Sequence, residues 1–321
     1  MDEKKIDNPN KCERLIYLDA LRGFAILLVV VGHLIQYNYQ NALENTLFNA
    51  IYSFHMPLFF FVSGVSCFLS RRENGNISGL LKRCFLKFQS LIVPSLSWGI
   101  VMAFIKGSSW QSAFYAHWFL YTLFVVFLLW YCKESVKCYW GVFEILFYIV
   151  ILILFYSDIK RIPLMYLSLF CIGYYTQKFQ FVKIPLWLCS ILFSVFIIGI
   201  PFFHYGDTIA GDAERVWVQF PVSVAGSLAL LKIFYEMQSR YGKRMKQLAQ
   251  IGRCTLGIYL THFFFLHVDY IAGLQYSCSI LVQFAVLIVI AYAISIACIT
   301  IEKGLSVMPL ASMLLYGKNK Y

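Results

Sequence analysis

Asp19, Arg22 and His33 all fall inside one apolar run, LDALRGFAILLVVVGH, from Leu18 to His33. An ionisable side chain inside a membrane span costs about 2.5–3.5 kcal/mol even on the lenient insertion scales, so such groups face a protein interior or a watery cavity and mark function. Arg22 and His33 are eleven positions apart. At about 100° per residue that spacing returns them to nearly one face, roughly 16 Å apart along the axis. One stripe of one helix thus carries a cation low and an imidazole high. A guanidinium binds oxyanions bidentately, and an imidazole moves protons near neutral pH. The plainer readings are an Arg22 that snorkels to the headgroups and a His33 that only packs.

The chain around this stripe is a membrane protein by composition. It is 60% hydrophobic and 13% charged over 321 residues, against about 25% charged in an ordinary soluble domain. Apolar runs of bilayer length fall near 16–37, 50–70, 84–105, 115–131, 140–156, 163–177, 184–203, 216–235, 254–271 and 277–301. The fold expected is all-α, a polytopic bundle of about ten transmembrane helices, with the sixth span or the entry to the ninth as candidates for re-entrant segments. The polar opening MDEKKIDNPNKCERL leads into the first run without a small-residue cleavage site, so the first helix is expected to stay. Residues 1–321 read as one domain with short cytoplasmic tails at about 1–15 and 302–321 and no separate soluble domain.

Basic residues set the orientation, because Lys and Arg accumulate in cytoplasmic loops. With the N-terminus inside, 22 of the 27 fall on inner segments, four (Lys106, Lys160, Arg161 and Arg215) on outer ones, and Arg22 within the membrane. Dropping one helix would invert every later loop and spoil the split, so both termini are expected in the cytoplasm. The net charge of +11 is then accounted for by basic loops beside anionic lipid headgroups, and no nucleic-acid partner is needed. The ten cysteines show neither CxxC pairs nor zinc spacing, and no metal is expected.

That orientation places all six histidines, His33, His55, His117, His204, His262 and His267, on the outer half. None forms a helical metal-ligand pair, which favours proton chemistry. The inner face carries basic clusters, including Arg71, Arg72, Lys82, Arg83 and Lys87, suited to phosphates through charge-assisted hydrogen bonds. In SFHMPLFFFVSG, Pro57 allows a break that lets His55 turn inward. Ser63 and Gly64 permit close helix packing.

These residues resemble the integral-membrane acyltransferase 3 family. Its hallmark is an arginine, ten residues and a histidine after a leucine-aspartate opening, here Leu18-Asp19-Ala20-Leu21-Arg22-Gly23 through to His33. The phrase SFHMPLFFFVSG, the HWFL of His117 to Leu120 and the TLGIYLTH ending at His262 resemble three further landmarks in the same order. The FHMPLFF wording is most similar to the branch of fucose O-acetylase-like proteins. The basic segment LKRCFLKFQSLIVP lacks the tight Arg-x-Arg frequent in the family.

The resemblance implies a multi-pass O-acyltransferase of the bacterial cytoplasmic membrane, taking acetyl-CoA or another short acyl-CoA from the cytoplasm. The acceptor implied is a hydroxyl of a cell-surface glycan, such as an exopolysaccharide, or of a lipid-linked sugar. His33, Arg22 and Asp19 are the expected catalytic group. Arg22, Arg71, Arg72, Lys82, Arg83 and Lys87 are expected around the donor phosphates, and His55, His117, Trp118, Tyr259 and His262 on the acceptor side. His33 acts either as general base or as an acyl-histidine relay. Membrane lipids are further partners, and a homo-oligomer is left open. The rival reading is a secondary transporter or a flippase of a lipid-linked sugar. Transporters commonly carry inverted repeats, whereas the chemistry here is concentrated in spans one, two, four and nine.

Overall fold

The computed structural model describes residues 15–70, 77–107, 109, 111, 115–135, 161–205 and 209–318, and their secondary structure is helical throughout. Among them, five stretches are long and apolar enough to cross a membrane: Ile16–Asn38, Thr46–Leu69, Gly79–Ile105, Arg215–Arg253 and Ile280–Leu305. A shorter apolar helix covers Leu186–Phe202. The run expected at 140–156 lies outside the described residues.

Helix α1 (Ile16–Asn38) is the centre of the bundle. Its 23 residues reach about 34 Å, enough for a hydrocarbon core of about 30 Å. Within its most apolar window 83% of residues are buried, against 33% for Ile280–Leu305, so α1 is ringed by protein while the latter helix presents most of its surface outward. A helix apolar on every side belongs inside, and ionisable groups on it must face protein or a cavity.

The second span is two helices, α2 (Thr46–Tyr52) and α3 (His55–Leu69). Asn45 caps α2, its side chain accepting from the amides of Leu47 and Phe48. The helix breaks at Ser53 and Phe54, because Pro57 has no N–H to give the Ser53 carbonyl. That carbonyl accepts instead from Ser223 Oγ at 3.0 Å, and the Tyr52 carbonyl from Gln219 Nε2 at 2.9 Å. The break leaves His55 as the first residue of α3, buried.

Helices α4 (Ile77–Lys87) and α5 (Val93–Lys106) are joined by a π-helical turn, Phe88–Ile92, just before Pro94. Helices α6 (Trp118–Ser135), α7 (Arg161–Lys178) and α8 (Leu186–Gly199) follow. Then comes α9 (Ile209–Arg253), whose 45 residues are interrupted at Tyr241, where φ is −127° and ψ is 22°. The stretch 236–253, expected as a long inner loop, is helical because Met245, Leu248, Ala249 and Gly252 recur at helical spacing and pack under α1.

The ninth expected span, 254–271, is not one helix. It is α10 (Thr255–Thr261) followed by 3₁₀ turns at His262–Phe264 and Asp269–Ile271. Asn38 at the end of α1 makes the irregular stretch tenable: its Nδ2 donates to the Leu266 carbonyl at 2.8 Å, and its Oδ1 accepts from the Val268 amide at 3.0 Å. Irregular backbone at membrane depth survives only when protein satisfies it. Helices α11 (Leu274–Ser277), α12 (Ile280–Leu305) and α13 (Pro309–Tyr316) complete the described chain.

Two helix crossings are backbone to backbone. A Cβ on Gly64 would strike the Phe170 carbonyl and one on Gly173 that of Phe61, locking α3 against α7. Likewise a Cβ on Gly252 would strike the Asp19 carbonyl and one on Gly23 that of Leu248, which fixes the Asp19–Arg22 turn against α9. Small residues serve such crossings in membranes. A Cβ on Gly242, by contrast, meets nothing within 4 Å. Gly173→Ala should therefore lower the thermal midpoint in detergent by an overpacking cost of about 1–3 kcal/mol, while Gly242→Ala holds or raises it. Equal midpoints for the two variants would contradict the packing described.

Candidate functional site

At the N-terminal end of the stripe, Arg22 is fixed from two sides. Its Nη1 lies 3.2 Å from Asp19 Oδ1, one turn away on α1. Its Nη2 donates to Ser66 Oγ on α3, a hydroxyl that in turn donates to the Val62 carbonyl at 2.7 Å. Asp19 thus sits with Arg22, holding the guanidinium, and not beside His33. The Arg22 side chain keeps 30% of its surface exposed, enough to meet a ligand. It opens onto a cavity of about 180 Å³ walled by Ile26, Met56, Ser63, Leu91 and Tyr259. Leu91 belongs to the π-helical turn, a distortion common at functional sites.

The other expected donor-side cations that are described each have a local partner or are exposed. Arg83 is engaged by Glu134, Nη1 to Oε2 3.1 Å, and its guanidinium lies 4.9 Å from the Tyr131 ring centroid. Lys87 Nζ sits 4.0 Å over the Phe127 ring. Lys82 is exposed on α4, and Arg71 and Arg72 lie outside the described residues.

At the opposite end of the stripe, four of the six histidines converge. The His33 and His262 rings are 5.2 Å apart, and Phe263 packs 5.1 Å from His33. His55 lies 4.6 Å from the Tyr52 ring, which in turn is 6.4 Å from His33. His117 is buried 6.2 Å from the Tyr259 ring, whose hydroxyl donates to the Ala116 carbonyl at 3.2 Å. His204 and His267 are exposed. Among the described residues no three His, Cys, Asp or Glu side chains cluster as metal ligands.

Hydrogen bonds assign the ring nitrogens. Nδ1–H of His55 donates to the Ile51 carbonyl at 2.7 Å and that of His262 to the Ile258 carbonyl at 2.9 Å. His262 Nε2 has no hydrogen-bond partner among the described residues. His33 Nδ1 lies 3.0 Å from Gln36 Oε1, which also accepts from the Tyr52 hydroxyl at 2.8 Å. The Tyr52 hydroxyl also lies 3.4 Å from His33 Nδ1; the tautomer assigned with Gln36 Oε1 as acceptor has the proton on Nδ1 and the lone pair on Nε2. This is how a third residue orients a catalytic imidazole.

His33 opens onto a cavity of about 590 Å³ whose walls include His55, Tyr52, Trp118, Tyr166 and Arg215. Met56 and Tyr259 line both this cavity and the one at Arg22. The two cavities therefore meet at those two side chains, one above the other along α1.

A family model described as an acyltransferase domain matches residues 15–300. The chain belongs to the acyltransferase 3 family. A curated relative, the nodulation protein NolL of Sinorhizobium fredii, is 30% identical over 139 residues, 41% of this chain and 34% of that protein. The aligned stretch thus spans about a third of that relative's length. No solved structure matches the chain. Membership in the acyltransferase 3 family supports acyltransferase activity and calls for an acyl donor and an acceptor. The two cavities, one beside Arg22 and one beside His33, share Met56 and Tyr259 as wall.

Sequence reasoning placed Trp118, Tyr259, His55, His117 and His262 with His33, and the structure brings them to one outer cluster. It missed Gln36, Tyr52, Ser66, Glu134, Gln219 and Arg215. Gln36 follows His33 by one helical turn, a neighbour the sequence does carry. Tyr52, Gln219 and Arg215 come from other elements and carry no such signal.

Proposed function

We propose that this acyltransferase 3 family member transfers an acetyl or other short acyl group from cytoplasmic acyl-CoA to a hydroxyl of a cell-surface glycan or lipid-linked sugar. The observation that carries the reading is the pair of neighbouring cavities, one at Arg22 and one at His33, that share Met56 and Tyr259 as wall. Coenzyme A phosphates dock at the inner end on Arg22, with Lys87 and Arg83 nearby on α4. The pantetheine arm threads the narrow lower cavity, whose walls are largely apolar and suit an uncharged chain. The thioester then ends beside His33, and the acceptor occupies the wider aromatic cavity above.

In the transfer, His33 Nε2 takes the proton of the acceptor hydroxyl as its oxygen attacks the thioester carbonyl carbon. The tetrahedral intermediate expels the thiolate, the C–S bond breaks, and the imidazolium returns the proton to sulfur. The products are the O-acyl ester and the free thiol. Gln36 holds Nδ1–H throughout, so the ring neither flips nor exchanges tautomer. A hydroxylamine-labile acyl-enzyme trapped before acceptor is added would favour the relay through His33 instead.

The orientation that fits this chemistry has about ten spans with both termini in the cytoplasm. It is supported by the basic-residue partition and by the grouping of His33, His55, His117 and His262 at the end of the bundle opposite Arg22. A reporter fused after Lys318 should be active only inside, and one inserted after Tyr205 only outside. Signals from the same side would reject the orientation.

General base catalysis is worth about 10²–10⁴ in rate. His33→Ala and His33→Gln should each lose at least 10²-fold in acetyl transfer from acetyl-CoA, with expression and donor affinity nearly unchanged. Gln36→Leu should cost roughly 10- to 100-fold, as is usual for partners that orient a functional imidazole. A His33→Gln protein that acetylates near the wild-type rate would exclude both chemical roles of this residue and leave packing as the better account of it.

A further inference from the structure

The outer cavity holds a cation that the acyl-transfer reading does not use. Arg215 lies on α9 and lines the cavity together with His33. Its guanidinium carbon sits 4.2 Å from the Tyr205 ring centroid, over the ring in a cation–π contact. Tyr205 is itself held, its amide donating to Asn49 Oδ1 at 2.8 Å and its ring set edge-on against Tyr52 at 5.2 Å. Gln219, one turn after Arg215, bonds the Tyr52 carbonyl and pins this part of α9 to the helix break. Tyr52 is therefore the divider of the cavity: its hydroxyl reaches toward His33 through Gln36, while its ring backs the Tyr205–Arg215 pair.

Among the described residues the walls of this space contain Arg215, His33 and His55 and no carboxylate. The guanidinium has five N–H donors in a planar fork, matched to carboxylate and phosphate oxygens. Around it the walls are mainly aromatic and half-polar, Tyr37, Tyr115, Trp118 and Tyr166 among them. Faces of that kind cover the apolar side of a sugar ring while their hydroxyls meet its polar edge.

Resting on the reading of this cavity as the acceptor site, we infer that the acceptor carries an oxyanion, which Arg215 binds while a hydroxyl of the same molecule is presented to His33 Nε2. The oxyanion is the carboxylate of an acidic sugar or the phosphate that links a sugar to its carrier. Both offer the same paired oxygens to the guanidinium. Arg215 is on this account a specificity-determining residue and takes no part in proton transfer.

The test uses the purified full-length protein and six probes: methyl glucoside, methyl glucuronide and glucose 1-phosphate, with their galacto counterparts. Binding is measured by calorimetry, and acetyl transfer from acetyl-CoA is followed separately. At least one anionic probe should bind tenfold or more tightly than its neutral counterpart. Arg215→Gln should abolish that preference while leaving neutral-probe binding and acetyl-CoA binding unchanged, and Arg215→Lys should retain part of it. Preference for the glucuronide or galacturonide assigns the carboxylate, and preference for the 1-phosphate assigns the carrier linkage. Equal binding of neutral and anionic probes to the wild type, no binding of any probe, or an equal loss for all probes in Arg215→Gln overturns the inference. Anion-selective, Arg215-dependent binding without acetyl transfer would leave this site standing and remove the transferase reading on which its role as acceptor site rests.

Discussion

A carbonyl released from its helix inside hydrocarbon must find a donor within the protein, because no water is there to supply one. Both helix breaks that shape the outer cavity obey this constraint. At the break after Tyr52 the Ser53 and Tyr52 carbonyls are taken by Ser223 and Gln219 of α9. After Thr261 the irregular backbone is taken by Asn38 of α1. Each break puts a histidine at a helix end, His55 in one case and His262 in the other, and each repair ties that histidine's element to a helix that also lines the cavity. The histidine cluster is thus a product of where the membrane permits backbone to be irregular.

The inner end is built on a different economy. Arg22 is an ion in a span, stabilised by Asp19 within its own helix and by Ser66 across the crossing with α3. The glycine contact between Gly252 and the Asp19 carbonyl brings α9 hard against this turn, so the guanidinium is held by a rigid frame and still opens to the lower cavity. A cation placed in this way is pre-organised for an oxyanion. Between the two ends, Met56 and Tyr259 are the shared wall, and they come from the very motifs, FHMPLFF and TLGIYLTH, that bracket His55 and His262.

Much of this was legible because hydrocarbon is a strict solvent. An arginine and a histidine spaced for one face of an apolar run are costly unless used, so α1 and its stripe could be read directly, as could the helical class of the fold. The stretch 236–253 was misread as a loop because its polar residues hide a sparse stripe at Met245, Leu248 and Ala249 that only the underside of α1 rewards. The stretch 254–271 reads as a span whose entry is a candidate re-entrant segment, whereas the break comes after Thr261, because an apolar run such as HFFFLHV carries no mark of a turn, and the side chain that allows the turn, Asn38, is more than two hundred positions away. Arg215 was counted only as an outer-loop charge. Its place in the cavity depends on Tyr205 and on the break at Tyr52, which are tertiary facts. Glu134, which takes up Arg83 on the inner side, was invisible for the same reason.

The central claim is a single path from Arg22 to His33 for the acyl donor. The most direct measurement is an experimental structure of the protein with acetonyl-CoA, a thioether analogue whose ketone cannot be transferred. The account predicts coenzyme A phosphates at Arg22, the pantetheine arm between Met56 and Tyr259, and the ketone carbon in the outer cavity. An acceptor hydroxyl bridging that carbon and His33 Nε2 would then lie roughly 3–3.5 Å from the carbon, the separation of a near-attack arrangement. An analogue bound elsewhere on the bundle, or bound at Arg22 with its arm directed away from His33, would contradict it.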